Sequence, residues 1–264
     1  MKVATWNVNS VAARLGRVTE WLSVSRPDVV LLQETKSTDD RFPASAFSEL
    51  GYESVHYGQG QWNGVAVLSA IGIADVQRGF GDGDPEARVL GATCAGLRVY
   101  SCYVPNGRSL DDPHYQYKLA WLDRLRNLAA ARDPLLPFLV GGDFNVAPSD
   151  FDCWDPAALV GATHVSAPER AALEAIESTG LVDLTRSLHP HEQWFSWWDY
   201  RGGAFHRNHG LRIDLLLVDE SLRRRATASY VDRDARKGEK PSDHAPVVGE
   251  FREVDEWDPH TSIQ

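Results

Sequence analysis

Short apolar runs that each end in a polar cluster constrain the fold of this chain more than any other feature of its sequence. Two examples are residues 28–32 and residues 135–140, which are both typical of buried β-strands. The polar clusters lie at residues 6–9, 33–34, 142–145, 212–214 and 242–244. In α/β proteins, strand ends at one edge of a sheet gather catalytic groups, because the sheet fixes their geometry. We therefore expect the polar clusters to converge at one sheet edge.

The order of strand-like and helix-like segments predicts a mixed α/β protein. Strands are predicted at residues 2–8, 29–33, 65–68, 87–94, 97–104, 135–140, 213–218 and 245–251. Helices are predicted from residue 11 to near Pro27, at residues 115–132 and at residues 168–178. Because strands outnumber helices and both hairpins and crossovers are expected, we predict two sheets packed face to face with helices outside.

Motif placement predicts one domain. The 264 residues contain no linker, fixed-period repeat or low-complexity block, and the candidate motifs run from residue 6 to residue 244. We expect residues 1–251 to form a single catalytic domain, with 43% hydrophobic content for its core, and residues 252–264 to form an acidic tail. Three cysteines without metal-ligand spacing argue against a disulfide framework and a zinc site. An N-terminus that is neither signal peptide nor membrane span predicts a cytoplasmic protein with no membrane association.

The net charge of -10 argues against a strongly cationic, non-specific nucleic-acid binder. The distribution is uneven, however, since residues 201–240 hold 10 Lys and Arg against 6 Asp and Glu. A protein that binds DNA through a local basic surface and a bound cation need not be basic overall. Nucleic acid therefore remains a possible partner.

The polar clusters carry the residue types needed to hydrolyse a phosphate ester. Glu34 at a strand end is a natural ligand for a divalent cation, although a lone Glu there is more often a solvated surface group. Asp143 can hold an attacking water, and the amide of Asn145 can donate to phosphate. Their i, i+2 spacing on extended chain predicts that both face the same side. An Asx-turn is the structural alternative for this pair.

A second group of residues suggests acid–base chemistry. Asp243 offers another carboxylate for a metal, and His244 offers an imidazole suited to proton transfer near neutral pH. Asp214 is expected to be buried, which is costly without a partner. A bond to His244 would satisfy it and fix the imidazole tautomer, and a structural pair with Arg212 is the alternative.

Taken together, the motifs resemble those of the exonuclease III family of abasic-site (AP) endonucleases, and their wording is closest to the actinobacterial branch of bacterial exonuclease III. The resemblance rests on residues 6–9 (WNVN), 33–36 (QETK), 63–66 (NGVA), 103–107 (YVPNG), 142–145 (GDFN), 198–201 (WDYR), 211–214 (LRID) and 242–246 (SDHAP). It covers residues 1 to about 251. It implies a four-layer α/β sandwich of the endonuclease/exonuclease/phosphatase type, with two mixed β-sheets flanked by helices.

The resemblance also implies a role for each matching residue. The implied metal ligands are Glu34, Asn7 and Asp243, with Asp143 and Asn145 as possible additions. The implied catalytic residues are Asp143, Asn145, His244, Asp214 and Tyr103, with the general base left open. The implied cofactor is Mg²⁺, which Mn²⁺ can plausibly replace. Ser10 departs from the family, because many relatives carry Gly there.

Substrate choice is implied by a separate set of residues. The resemblance places Trp197, Leu211 and Ile213 around a small apolar pocket for a flipped, base-less deoxyribose, which excludes normal nucleotides by size. It places Asn9, Asn106, Arg201 and Arg212 along the substrate, the arginines on the phosphate track. Trp198 is expected to belong to the core.

These observations predict a monomeric, Mg²⁺-dependent DNA repair nuclease. It would cleave the phosphodiester 5′ to abasic sites in double-stranded DNA, degrade DNA from 3′ ends, and remove 3′-phosphates. One alternative is another phosphoesterase on the same scaffold, such as a non-specific deoxyribonuclease or a phosphatase. The other is a DNA-binding relative that has lost catalysis.

Overall fold

The fold is built on two six-stranded mixed sheets in the computed structural model, which describes residues 1–252. The strands are β1 (Lys2–Asn7), β2 (Val29–Gln33), β3 (Glu53–Tyr57), β4 (Val65–Ser69), β5 (Ala74–Arg78), β6 (Val89–Cys94), β7 (Leu97–Tyr103), β8 (Phe138–Asp143), β9 (Leu181–Asp183), β10 (Asp214–Asp219), β11 (Ala226–Val231) and β12 (Val247–Phe251). The helices are α1 (Val11–Ser25), α2 (Ala44–Ser48), α3 (Pro113–Ala130), α4 (Ala167–Glu177), α5 (Leu184–Leu188), α6 (Ala204–Arg207) and α7 (Glu220–Arg225). Short 3₁₀ turns occur at Asp39–Arg41, Asp150–Asp152, Ala157–Leu159, Arg201–Gly203 and Arg233–Arg236.

Each sheet contains one parallel pair of strands. The first sheet has the order β11-β12-β1-β2-β4-β3, and the second has the order β5-β6-β7-β8-β10-β9. The pair β1–β2 is parallel in the first sheet, and the pair β7–β8 is parallel in the second. All other neighbours are antiparallel. The carboxyl ends of each parallel pair therefore lie at a common edge of their sheet.

Apolar packing holds the two sheets face to face and the long helices outside them. The inner cluster joins Leu31 of β2 to Leu139 of β8 and Leu216 of β10, all fully buried. Outside the second sheet, Trp121 and other residues of α3 pack on its outer face. Outside the first sheet, Leu22 of α1 packs in the same way. The result is a helix–sheet–sheet–helix sandwich, which confirms the predicted fold class.

The predictions are most accurate for the long elements with a clear hydrophobic periodicity. Helices α1, α3 and α4 and the hairpin β6–β7 are confirmed within a few residues. The strand expected at residues 135–140 instead begins at Phe138, because Leu135 is 88% exposed in the preceding turn. Strands β3, β5, β9 and β11 were not predicted. β5 shows why, since four of its five residues are exposed and no apolar alternation marks it.

Two further expectations concern the chain ends and the membrane. From residue 253 onward, the acidic tail predicted at residues 252–264 lies outside the described residues. Within residues 1–252, no helix has the length and apolar character needed to cross a membrane.

Candidate active site

The strand ends bring together most of the polar side chains that the sequence marks. Asn7 ends β1, Glu34 follows β2, Tyr103 ends β7, Asp143 ends β8, Asp214 begins β10 and His244 precedes β12. Register places Tyr103 and Asp214 on either side of Asp143. The groups therefore converge where the edges of the two sheets meet.

Asn7 connects the two sheets at this point. Its Nδ2 donates to Glu34 Oε1 at 2.8 Å and to Asp143 Oδ2 at 2.9 Å. Its Oδ1 accepts the backbone N–H of Asn9 at 3.0 Å. Asn7 therefore orients the two carboxylates through its amide nitrogen, and its amide oxygen keeps one lone pair, so its role as a metal ligand stays a prediction.

Asp214 and His244 form a fully buried hydrogen-bonded pair. His244 Nδ1 lies 2.8 Å from Asp214 Oδ2, and its Nε2 lies 3.8 Å from Asp143 Oδ2. Burial alone would lower the pKa of His244, but the carboxylates of Asp214 and Asp143 raise that pKa to about 10. At neutral pH both ring nitrogens therefore carry protons, and His244 is a donor. The alternative pair of Asp214 with Arg212 is not formed.

The site has an excess of buried negative charge that fits a divalent cation. Ligand atoms of Glu34, Asp143 and His244 all lie within 4.8 Å of one another. Burial and the charges of Asp214 and Glu34 raise the pKa of Asp143 to about 7, even though His244 opposes them. Because His244 is protonated, Glu34 and Asp143 are the groups that could hold the ion. Hard carboxylate oxygens in such a cluster suit Mg²⁺ or Mn²⁺.

Asp243 faces different partners from the expected metal cluster. Its Oδ1 accepts Asn9 Nδ2 at 3.0 Å, and its Oδ2 accepts Trp197 Nε1 at 3.1 Å. Lys36 Nζ lies 2.8 Å from Glu34 Oε2 and 2.5 Å from Asn9 Oδ1. A chain of contacts therefore runs from Glu34 through Lys36 and Asn9 to Asp243, and it places Asp243 beside Trp197.

The segment after β8 corrects the expectation of extended chain between Asp143 and Asn145. Asn145 has a left-handed φ of 51°, and its N–H donates to Asp143 Oδ1 at 2.9 Å, which forms an Asx-turn. The Asx-turn that was the structural alternative is therefore present, and Asp143 and Asn145 still lie together at the site. Gly142 lies within the strand, where a Cβ would come within 1.9 Å of the Cys102 carbonyl oxygen. The close approach of the neighbouring strand requires this glycine.

Tyr103 is held beside the carboxylates in its protonated form. Burial and the charges of Glu34 and Asp143 raise the pKa of Tyr103 well above its ordinary value. The guanidinium of Arg88 lies 4.7 Å from the centre of the Tyr103 ring. The hydroxyl is therefore a hydrogen-bond donor throughout the neutral range.

An apolar cluster borders the polar site. Leu211 and Ile213 are buried with Ala147 and Cys153, and Trp197 packs against them. Trp197 forms single β-bridges with both Leu211 and His244. The structure therefore brings together the three residues expected around a substrate pocket and places them beside His244. Trp198 is fully buried in the core, as expected.

Arg212 corrects one substrate-binding expectation. Its side chain is 1% exposed, its Nε lies 2.7 Å from Asp152 Oδ1, and its Nη1 lies 2.7 Å from Asp183 Oδ2. Because this side chain, two residues before β10, is buried between two carboxylates, it cannot line a phosphate track. Arg201, in contrast, is 90% exposed and lies 2.9 Å from Asp199.

Ser10, the departure from the family pattern, has a structural use. It adopts a φ of 88°, and its Oγ accepts the N–H of Ala13 at 3.3 Å. It therefore caps α1 from a backbone conformation that favours glycine.

Two residues near the site were missed, the half-buried His164 and the buried Lys118. His164 Nε2 lies 3.0 Å from Asn145 Oδ1 and 3.1 Å from Asn106 Nδ2, and nothing in the sequence around it marks it. Lys118 is fully buried on α3, and its Nζ donates to the carbonyl of Asn145 at 2.7 Å. A signal did exist for Lys118, because it interrupts the apolar stripe that contains Tyr115 and Trp121.

Comparisons with known proteins agree with this geometry. A model of the endonuclease/exonuclease/phosphatase family matches residues 4–244. Exodeoxyribonuclease III of Haemophilus influenzae is 33% identical over 270 residues, which cover 96% of this chain and 100% of that protein.

Solved structures show the same likeness. The 3′ phosphatase NExo from Neisseria, bound to a product DNA hairpin, is 40% identical with a TM-score of 0.93, covering 96% of this chain and 99% of that one. An AP endonuclease from Archaeoglobus fulgidus is 38% identical with a TM-score of 0.93, covering 95% and 99%.

Proposed function

The chain belongs to the endonuclease/exonuclease/phosphatase family, and on that premise we propose that it is a Mg²⁺-dependent DNA repair nuclease. Its substrates are proposed to be double-stranded DNA with abasic sites and DNA with 3′ ends, including 3′-phosphates. Incision 5′ to an abasic site, removal of a 3′ nucleotide and removal of a 3′-phosphate share one chemical step. In each, water attacks phosphorus and the bond to a 3′ oxygen breaks, leaving a 3′-hydroxyl.

The observation that carries this proposal is the meeting of Glu34, Asp143 and His244. Their ligand atoms lie within 4.8 Å of one another, although they come from both sheets. Glu34 and Asp143 offer carboxylates for a cation, Asp143 can also accept a proton, and His244 can donate one, which are the functions that phosphoester hydrolysis requires.

Each residue takes a role that its contacts support. Asp143 accepts a proton from the attacking water, because its pKa lies in the neutral range. The imidazolium of His244, held by Asp214, donates to a phosphate oxygen. The protonated Tyr103 hydroxyl stabilises charge on the departing oxygen. Asn145 Nδ2 donates to the carbonyl of Val104 at 3.0 Å, which leaves its second N–H for phosphate.

Glu34 and Asp143 would hold the cation, with Mg²⁺ proposed and Mn²⁺ as a substitute, for charge neutralisation on the phosphate. Asn7 orients both carboxylates through one amide. Trp197, Leu211 and Ile213 are proposed to receive the base-less sugar, since they form an apolar cluster next to His244.

One assay tests the proposal. The protein is incubated with three duplexes, carrying a single abasic analogue, a 3′-phosphate or an unmodified recessed 3′ end, with Mg²⁺ and with EDTA. We expect Mg²⁺-dependent 3′-hydroxyl products, and the relative rates give the balance among the three activities. Turnover of an inositol phosphate without any DNA product would favour another phosphoesterase.

A matched variant separates catalysis from binding. Asp143→Ala should abolish hydrolysis while DNA binding, followed by fluorescence anisotropy, survives. DNA binding by the wild type without hydrolysis of any duplex would support the non-catalytic alternative.

We further propose that the enzyme acts in the cytoplasm as a monomer. All three cysteines are buried and free, which suits a reducing compartment. Sedimentation of the purified protein tests the monomer.

A further inference from the structure

Lys118 is a buried ammonium that contacts the backbone behind the active site. It lies on α3, and its side chain is 0% exposed. Its Nζ donates to the carbonyl of Asn145 at 2.7 Å, to the carbonyl of Asn106 at 3.2 Å, and to Glu169 Oε1. An ammonium has three N–H donors, so all of its donors are used. The aliphatic stem packs against the backbone at Gly107, where a Cβ would lie 3.2 Å from Lys118 Cδ.

The two carbonyls belong to residues whose side chains meet at the site. Asn106 Nδ2 donates to Asn145 Oδ1 at 3.3 Å. Asn145 also has a left-handed φ of 51°, a conformation that needs support from its surroundings. Because one ammonium holds both carbonyls, it fixes the spacing between two loops that carry amides toward the substrate.

Glu169 extends the same arrangement to a third loop. Its Oε1 also accepts the N–H of His164 at 3.0 Å, and its Oε2 accepts the N–H of Ser166 at 3.0 Å. The second bond belongs to the capping box that begins α4. His164 has a φ of 77°, and its Nε2 reaches Asn145 Oδ1 at 3.0 Å.

We propose that Lys118, supported by Glu169, is a positioning residue that sets the place of the Asn106 and Asn145 amides for phosphate hydrolysis. This inference rests on the proposed function. Stability alone does not account for the pair, because a buried ion pair can often be replaced by apolar groups without loss. The bonds that an apolar replacement cannot supply are those to the two carbonyls.

The test compares activity with local structure in the variant K118M/E169Q. The double change leaves no lone buried charge, and Gln is a normal capping-box residue. We expect kcat on a 3′-phosphate duplex to fall about 10- to 100-fold, because small misplacements of supporting groups have effects of that size. Mn²⁺ affinity should stay within about twofold of wild type, since neither residue touches Glu34 or Asp143.

A second readout does not depend on activity. The side-chain amide resonances of Asn106 and Asn145 should shift or broaden in the double variant, while those of Asn7 stay unchanged. Failure of the wild type on every duplex would reject the proposed function, and the resonances would still report on positioning. The inference is overturned if the amide resonances are unchanged, or if kcat in an active enzyme stays within twofold of wild type.

Two further variants serve as rescue and control. Lys118→Arg keeps charge and donors, so its kcat should exceed that of Lys118→Met by about tenfold; equal losses would overturn the inference. Arg124→Met is the matched control, because Arg124 also lies on α3 and is ion-paired, with Asp82 and Asp84. It should lower stability while leaving kcat and the amide resonances unchanged.

Discussion

Replacing Asp214 with Asn tests the assignment of His244 as a protonated donor. Asp214 is fully buried, and its Oδ2 is the 2.8 Å partner of His244 Nδ1. Asn has nearly the same shape, so the substitution removes the charge and leaves the packing. The backbone at Asp214 stays anchored through its N–H, which donates to Ser196 Oγ at 3.0 Å.

The expected magnitude follows from the pKa of His244. The difference between the ordinary 6.5 and about 10 corresponds to about 5 kcal/mol in favour of the imidazolium. Without Asp214, burial dominates and lowers that pKa, because only Asp143 at 3.8 Å and the nearby Asp243 still favour the charge. Most of the imidazole should then be neutral at pH 7.5, and kcat should fall about 100-fold or more, as when an acid is lost.

Two measurements check this expectation. Carbon-13 NMR of the histidine rings should show His244 titrating near pH 10 in wild type and several units lower in Asp214→Asn. Between pH 8 and 9, where Asp143 is already deprotonated, the kcat of the variant should fall as pH rises, unlike that of wild type, because His244 loses its remaining proton. Asp219→Asn, at the opposite end of β10, is the control and should change neither quantity, since Asn also caps helices well. Titration near pH 10 in Asp214→Asn, or an unchanged kcat, would refute the reasoning.

Three further predictions concern the metal, the buried arginine and the pocket. Lowering the pH from 8 to 6 should weaken Mn²⁺ binding about tenfold, because Asp143, with its pKa raised to about 7, must lose a proton to bind; a pH-independent Kd from electron paramagnetic resonance would contradict this. Arg212→Met should lower the free energy of unfolding in urea by about 3–5 kcal/mol, because it leaves Asp183 buried without its cation and Asp152 with Arg186 alone, and a loss below about 1 kcal/mol would count against the network. Trp197→Ala should reduce abasic-site cleavage more than Mn²⁺ binding, and an equal loss on all three duplexes would argue against the pocket.

The site could be predicted where residue type and strand position coincide. Glu34, Asp143 and His244 each sit beside an apolar run, so their convergence followed from sheet geometry. Lys118 and His164 could not be assigned, because their roles depend on contacts between loops far apart in the chain. The only sequence signal for Lys118 was its position on an otherwise apolar stripe of the helix.

The orientation of side chains was also beyond the sequence. Arg212 stands in a motif next to pocket residues, yet its side chain packs inward against Asp152 and Asp183. Both partners lie far from Arg212 in the chain, so the direction of its side chain is decided only by tertiary packing.

The sequence by itself determined the α/β class, the long helices and the chemical inventory of the site, since these depend on local periodicity and residue type. Tertiary structure alone decided that Asn7 joins Glu34 to Asp143, that the pKa of His244 is raised by Asp214 and Asp143, and that Asn145 closes an Asx-turn. These properties depend on distances, burial and charge across two sheets. Local sequence does not encode such quantities, because they arise only when the strands have paired and packed.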